Sequence, residues 1–334
     1  MRKNTAIAAI IVIIVGLLIF AFINAEGDLG NFGITVLSGL FQGMLLFLVA
    51  SGLSIIFGLM DVLNFAQGAY FMLGAYVAYD VQHRGGLLDL TSLIPDPNLR
   101  FPFAVLAAVL VGAGLGALLE RGLLRPLYAR PVFQLVLTFG VSLVMAEIIK
   151  VIWTTTPYSW TEVFGLRTSS FVLFDQQFSL YRLFIVGMGA ALMIGIALLL
   201  RRTRIGIIIR AGVEDSAMVE ALGINVRAVF TLVFTLGCAI AAFGGAVAAP
   251  FLGASPTIGA NYLLLGIAVV VLGGMGSYEG TAIGSIMVGL AVAVAQSATL
   301  ANADLSFLPS ITPMLLLVLV LLLKPSGLFG SARG

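Results

Sequence analysis

The chain has 334 residues, 60% hydrophobic and only 10% charged, against about 25% charged in soluble globular domains. Its mean hydropathy is +1.14, and 17 Lys+Arg against 15 Asp+Glu leave a net charge of +2 with no basic run for nucleic acid. One cysteine and one histidine exclude a disulfide framework and a Cys/His metal cluster.

Apolar runs long enough to cross a hydrocarbon core of about 30 Å recur along the chain. They predict spans near 5–24, 34–58, 62–80, 101–120, 132–153, 181–200, 228–249, 259–275, 281–298 and 308–323. The runs near 62–80, 259–275 and 281–298 hold many glycines and some polar residues, so the count lies between eight and ten. A transmembrane barrel would show alternating segments of about ten residues instead. The expected fold is therefore an all-α polytopic helical bundle, a single transmembrane domain over 1–334.

The first run follows a basic start, Arg2 and Lys3. Ala25 loosely suits a signal cleavage site, but the run to Ile23 is long for a signal segment and favours a retained helix. Next come Gly39 and Gly43, one helical turn apart, a spacing that lets helices approach closely. The stretch 61–76, DVLNFAQGAYFMLGAY, puts Asn64 and Gln67 one turn apart in an apolar run. Such amides need partners inside a membrane. They serve either as interhelical glue or as the lining of a solute path, and Gly68 beside them permits a kink or a close contact. His83, in the loop 81–100, reads as a solvated loop residue.

Gly112 and Gly116 repeat the close-packing spacing, and Glu120 with Arg121 marks a span boundary. Glu147 and Lys150 fall at i,i+3 and are expected to pair. The loop 154–180 carries Tyr158, Trp160, Phe164, Phe171 and Phe174, suited to a partner contact or to an interfacial aromatic belt.

The loop 201–227 is different: five basic and three acidic residues crowd into a chain otherwise poor in charge. Its segment GVEDSAMVEALG predicts a short helix with Glu214 and Asp215 in the first turn, where the helix dipole favours acids. Gly223 would end it in the left-handed conformation. Ala217, Met218, Ala221 and Leu222 then share a small apolar face, with Glu220 beside it. A helix lying on lipid headgroups usually carries Lys or Arg on its polar face; this one carries acids, which favours a groove on a soluble partner.

Gly276, Gly280 and Gly284 follow at four-residue intervals, and 273–293 (GGMGSYEGTAIGSIMVGLAVA) weakly resembles 58–78 (GLMDVLNFAQGAYFMLGAYVA), as an internal duplication would. With ten spans, the clusters Arg2/Lys3, Arg121/Arg125/Arg130, Arg201–Arg227 and Lys324/Arg333 share one face, which the positive-inside rule makes cytoplasmic, both termini included. The loops 81–100 and 154–180 then lie outside. No carboxylate sits at mid-span, against expectation for an ion-coupled carrier. There is no G-x-x-x-x-G-K-[ST] phosphate loop and no nucleophile–base constellation, so the chain reads as non-enzymatic, without a cofactor of its own.

Three ordered motifs carry a resemblance: GLSIIFGLMDVLNFAQGAYFMLGAY (52–76), EDSAMVEALGINVRAV (214–229), and GGMGSYEGTAIGSIMVGL (273–290) with KPSGLFG (324–330). With them the chain resembles permease subunits of branched-chain amino acid ABC importers, the leucine/isoleucine/valine uptake family. The family often has His where this chain has Gln67, and N-F-A-Q-G is similar to the first of its two paralogous permeases. The resemblance implies a fold like that of the vitamin B12 and ribose permeases, in a bacterial inner membrane. Implied partners are a second permease, two cytoplasmic ATPase subunits and a periplasmic solute-binding protein. Asn64, Phe65, Gln67, Gly68, Gly274 and Gly276 would line the substrate path. Glu214, Asp215, Ala217, Met218, Glu220, Ala221, Leu222 and Gly223 would couple to the ATPase. Relatives also import urea and short amides, so the solute stays open.

Overall fold

In a computed structural model, residues 2–25, 27–173, 176–214, 216–301 and 303–330 are described. Ten helices match the ten expected runs: α1 (Arg2–Asn24), α2 (Leu29–Met60), α3 (Gln67–Gln82), α4 (Pro97–Leu119), α5 (Pro131–Trp153), α7 (Leu180–Arg202), α10 (Val226–Leu252), α11 (Ile258–Gly273), α12 (Tyr278–Ala301) and α13 (Leu308–Leu323). Short helices α6 (Gly165–Thr168), α8 (Arg204–Glu214) and α9 (Ser216–Ala221) lie between them. Six of the ten are long and apolar enough by themselves to cross a membrane. The remaining four, α1, α3, α11 and α13, are shorter or less apolar over their described length.

Burial separates interior from periphery. In α2, 78% of the most apolar window is buried; in α5 only 11% is. The axis of the bundle is α2, against which α10, α11 and α12 pack, with α3 and α4 across α10. Glycine makes the central crossings possible. A Cβ on Gly39 or Gly43 would come within 2.9 Å of the α12 backbone at Leu290 and Ile286, and Gly116 holds Cys238 of α10 against α4. Of the run at 276, 280 and 284, only Gly280 and Gly284 are helical; Gly276 sits in a turn.

Two helix pairs share one interruption. The chain between α2 and α3 turns back at Asp61 (φ 56°), runs non-helically to Ala66, and resumes as α3. The chain between α11 and α12 turns at Gly276 (φ +84°). When the two similar stretches 58–78 and 273–293 are superposed in sequence, Asp61 and Gly276 coincide. The breaks also touch: a Cβ on Gly58 would lie 2.9 Å from the Gly276 carbonyl. The expected span 62–80 is thus corrected. Asn64 lies in the break and only Gln67 is helical, so the pair is not a turn apart on one helix.

Contacts sort the chain into two ends. At one lie the end of α2, the start of α5, α8, α9 and the starts of α10 and α12, linked by an Arg201–Glu279 ion pair. At the other the loop 83–96 packs on the segment 154–168, with an antiparallel hairpin, β1 (Ser170–Leu173) and β2 (Gln176–Ser179), beside them. The hairpin was not legible as strands, being only four residues on each side.

Candidate functional site

Asn64 and Gln67 are fully buried and hold the first break together. Gln67 Nε2 donates to the Gly237 carbonyl of α10 at 3.0 Å, and Asn64 Nδ2 donates to Gln67 Oε1 at 3.3 Å. Asn64 Oδ1 accepts from the Ala66 amide at 3.1 Å. From the other side Thr138 of α5 accepts from the Phe65 amide at 3.2 Å and donates toward the Leu63 carbonyl at 3.4 Å. Non-helical backbone at membrane depth survives only with such partners. Gly237 lies about 16 Å along α10 from its start at ~1.5 Å per residue, so α3 begins near mid-bundle.

Gly68 packs on the Gly259 backbone, and Phe65 meets Phe139 edge-on at 6.4 Å. Gly274 lies against Gly330. Gly276 borders a cavity of about 400 Å³ with Phe57, Asp61 and Phe329. The six expected path residues therefore surround the two breaks. In this conformation the Asn64 and Gln67 amides are spent on bonds within the bundle.

The short charged helix exists with the expected end. Gly223 has φ +82°; its amide bonds the Glu220 carbonyl at 2.9 Å, and the Ile224 amide bonds Val219 at 3.3 Å. This is a Schellman arrangement. Val219 points inward, while Met218 (55% exposed) and Leu222 (71%) stand out with Glu220 and Ala221. Its start differs from expectation. Glu214 is the last residue of α8 rather than in the first turn of α9, Ala217 is in α9, and Asp215 lies outside the described residues. The reason is that RIGIIIR forms its own amphipathic helix, with Ile209 buried and Ile205 and Ile207 exposed.

Glu120 follows the last residue of α4, the boundary expected of it, and is fully buried there. Its Oε2 accepts from Thr231 of α10 at 2.6 Å, and Oε1 accepts from the Tyr128 hydroxyl and from Arg125 Nε at 3.4 Å. The signal was available in principle: an acid within an apolar run requires partners. The partner Thr231, however, is far away in sequence.

At the opposite end the aromatics largely face inward. Trp160 and Phe164 are buried, Phe164 stacked on Phe101 at 5.0 Å. Tyr158 stacks on Tyr79 at 4.8 Å; Phe171 pairs across the hairpin with Phe178; Phe174 lies outside the described residues. His83 is buried, not solvated. It stacks on Tyr79 at 3.8 Å, its Nδ1 bonds the Tyr79 carbonyl at 2.8 Å, and Nε2 accepts from the Thr161 and Glu162 amides at 3.3 and 3.4 Å. Burial lowers its pKa and favours the neutral ring. Glu147 and Lys150 pair at 2.6 Å as expected.

A second cavity of about 400 Å³ opens near this end between α2, α7 and α10–α13, with Arg182 and Gln42 in its wall. No sequence pattern singled these out, because they lie on different helices.

The family described as branched-chain amino acid transport system / permease component matches residues 35–323. The chain is 29% identical over 311 residues to the high-affinity branched-chain amino acid transport system permease protein BraD of Pseudomonas aeruginosa, covering 88% of this chain and 94% of that one. It is 27% identical to LivH of Escherichia coli, covering 88% and 94%, and 26% identical to a probable LivH of Methanocaldococcus jannaschii, covering 86% and 89%. No solved structure matches the chain.

Proposed function

The chain belongs to the family of branched-chain amino acid transport permease components, and on that premise we propose that it forms half of the pore of an ATP-driven importer in an inner membrane. The observation that carries this reading is α9: a capped six-residue helix, between α8 and the long α10, with Met218 and Leu222 exposed beside Glu220. An ATPase groove that takes this knob would transmit nucleotide-dependent closure into α10, whose first turns are tied to α4 through Glu120 and Thr231.

Lys and Arg concentrate at the α9 end, at Arg121, Arg125, Arg130, Arg201, Arg202, Arg204 and Arg227, which supports a cytoplasmic orientation for it and for both termini. The opposite end exposes Leu87 and Leu93 on one loop and Val163 on the other, apolar contacts for a periplasmic binding protein. A second permease would complete the pore, and the two touching breaks would open and close the path. The cargo is a branched-chain amino acid, the solute named for BraD and LivH.

The test is purification from native membranes with α9 intact or altered. Two ATPases and a second permease should co-isolate with the wild-type chain. Glu220→Arg or Gly223→Arg should abolish ATP-dependent uptake while the chain still inserts. Full uptake by either variant would remove α9 from coupling, and ATP-independent uptake by the isolated chain would overturn the importer reading.

A further inference from the structure

Arg182, near the start of α7, is held in an unusual setting. Its guanidinium carbon lies 5.5 Å from the Phe41 ring centroid, 5.7 Å from Phe178 and 5.2 Å from Phe251. Among the described residues no carboxylate pairs with it. Aromatic faces attract the cation but do not accept its five in-plane N–H donors, which match the two oxygens of a carboxylate. The rings therefore fix the charge and leave its hydrogen-bonding edge for something else.

Arg182 also lines the cavity of about 400 Å³, within the range of about 300–1,000 Å³ of small-molecule sites. Leu45, Leu46, Leu265 and Val292 give it aliphatic walls. Gln42 Nε2 donates to Gln296 Oε1 at 2.7 Å, joining α2 to α12 across the space. The bond leaves the Gln42 oxygen as an acceptor, and the hydroxyls of Ser38 and Ser310 line the same cavity. A cation, an aliphatic wall and neutral oxygen acceptors are the three parts needed for a carboxylate, an alkyl side chain and an ammonium group.

We propose that this cavity is a binding site within the permease for a zwitterionic aliphatic amino acid, with Arg182 as the carboxylate anchor. It lies at the hairpin end, where solute would arrive, and it adds selection inside the membrane subunit to whatever the binding protein supplies. The proposal rests on the importer reading for its choice of amino acid over another anion.

The experiment uses the complex purified from native membranes, placed in nanodiscs without binding protein, and measures equilibrium binding of radiolabelled L-leucine. Wild type should bind saturably. Arg182→Gln should weaken binding by about tenfold or more, the loss expected for a charge-assisted hydrogen bond. Leu265→Trp, which fills the aliphatic wall and leaves the arginine in place, should do the same. L-Leucinamide, which lacks the carboxylate, should fail to compete. Unchanged leucine affinity in Arg182→Gln overturns the site, as does equal competition by leucinamide. So does a wild-type complex that binds no leucine but retains phosphatidylglycerol in an Arg182-dependent way, since the anion is then a lipid headgroup. Co-isolation of the ATPases reports on the importer separately, so absence of leucine binding with ATPases attached overturns this site alone.

Discussion

Gln67 reaches the Gly237 carbonyl because Gly52 and Gly237 leave no side chain between α2 and α10 at that level. A histidine there could donate from its own Nε2, which gives a physical reason why a family pattern with His tolerates Gln. Gln67→Leu removes the donor to Gly237 and the acceptor for Asn64, stranding a buried amide at a cost of about 1–3 kcal/mol. A lower melting midpoint and altered uptake kinetics are expected, with ATPase association kept; unchanged kinetics would assign Gln67 to packing alone. His83 gives a pH dependence. Burial lowers its folded pKa, so above about 6.5, the unfolded value, both states are neutral and the joint is at full strength. As pH falls below that value the unfolded state takes up the proton first, and the joint to Thr161 and Glu162 weakens. Amide protection over 158–164, taken relative to the intrinsic exchange rate at each pH, should therefore fall between about pH 6.5 and 5, and His83→Gln should flatten that dependence; an identical profile in the variant would remove His83 as the cause. The ring was misread from sequence because Arg84, Gly85 and Gly86 follow it, while its acceptor role depends on amides in a distant loop.

Helix α9 and the first break differ in how far local sequence determines them. The end of α9 was legible because Gly223 alone can hold its positive φ cheaply, and the exposed apolar positions follow helical spacing. Its beginning was not, since the boundary between α8 and α9 depends on how an isoleucine-rich helix packs beneath the bundle. The break at 61–66 showed only as an uncertain span, because its stability comes from Thr138 and Gly237 on other helices. The α3–α10 crossing tests how much of this packing is obligatory. A Cβ on Gly74 would overlap the Ala242 carbonyl, whereas one on Gly114 meets nothing within 4 Å. Gly74→Leu should abolish monodisperse protein in detergent and Gly114→Leu should leave the yield near wild type, as read by size-exclusion profile. Equal yields would mean that the crossing relaxes.

Across the whole molecule, the positions and order of the ten longer helices were readable because each apolar run is bounded by charge, Gly or Pro, while the Gly-rich runs left their count between eight and ten. Which helices lie inside was not, since α2 and α5 are alike in apolar character yet 78% and 11% buried in their windows. Gly39 and Gly43 seat α2 directly on the α12 backbone, whereas a Cβ on Gly140 of α5 would meet nothing within 4 Å. The peripheral faces of α4, α5 and α7 carry exposed aliphatics such as Val136 and Val151, apolar surface that suits lipid or a neighbouring subunit. Arg182 and Gln42 belong to this scale too: they become neighbours only after α2, α7 and α12 have assembled.

The segment 324–330 has a consequence for biogenesis. The amides of Leu328 and Phe329 bond the carbonyls of Leu272 and Gly273 at 2.9 Å each, and Lys324 Nζ bonds the Leu328 carbonyl at 2.5 Å. Those carbonyls end α11, where a helix cannot satisfy them itself. At about 5–20 residues per second of synthesis, the ribosome must make α12 and α13 before the strap appears. For those seconds the second break stands open beside the first. The half of the bundle that mirrors α2 and α3 is therefore sealed only by residues translated last in this stretch, and a nascent chain halted at Leu323 would carry all the described helices but an unclosed fold.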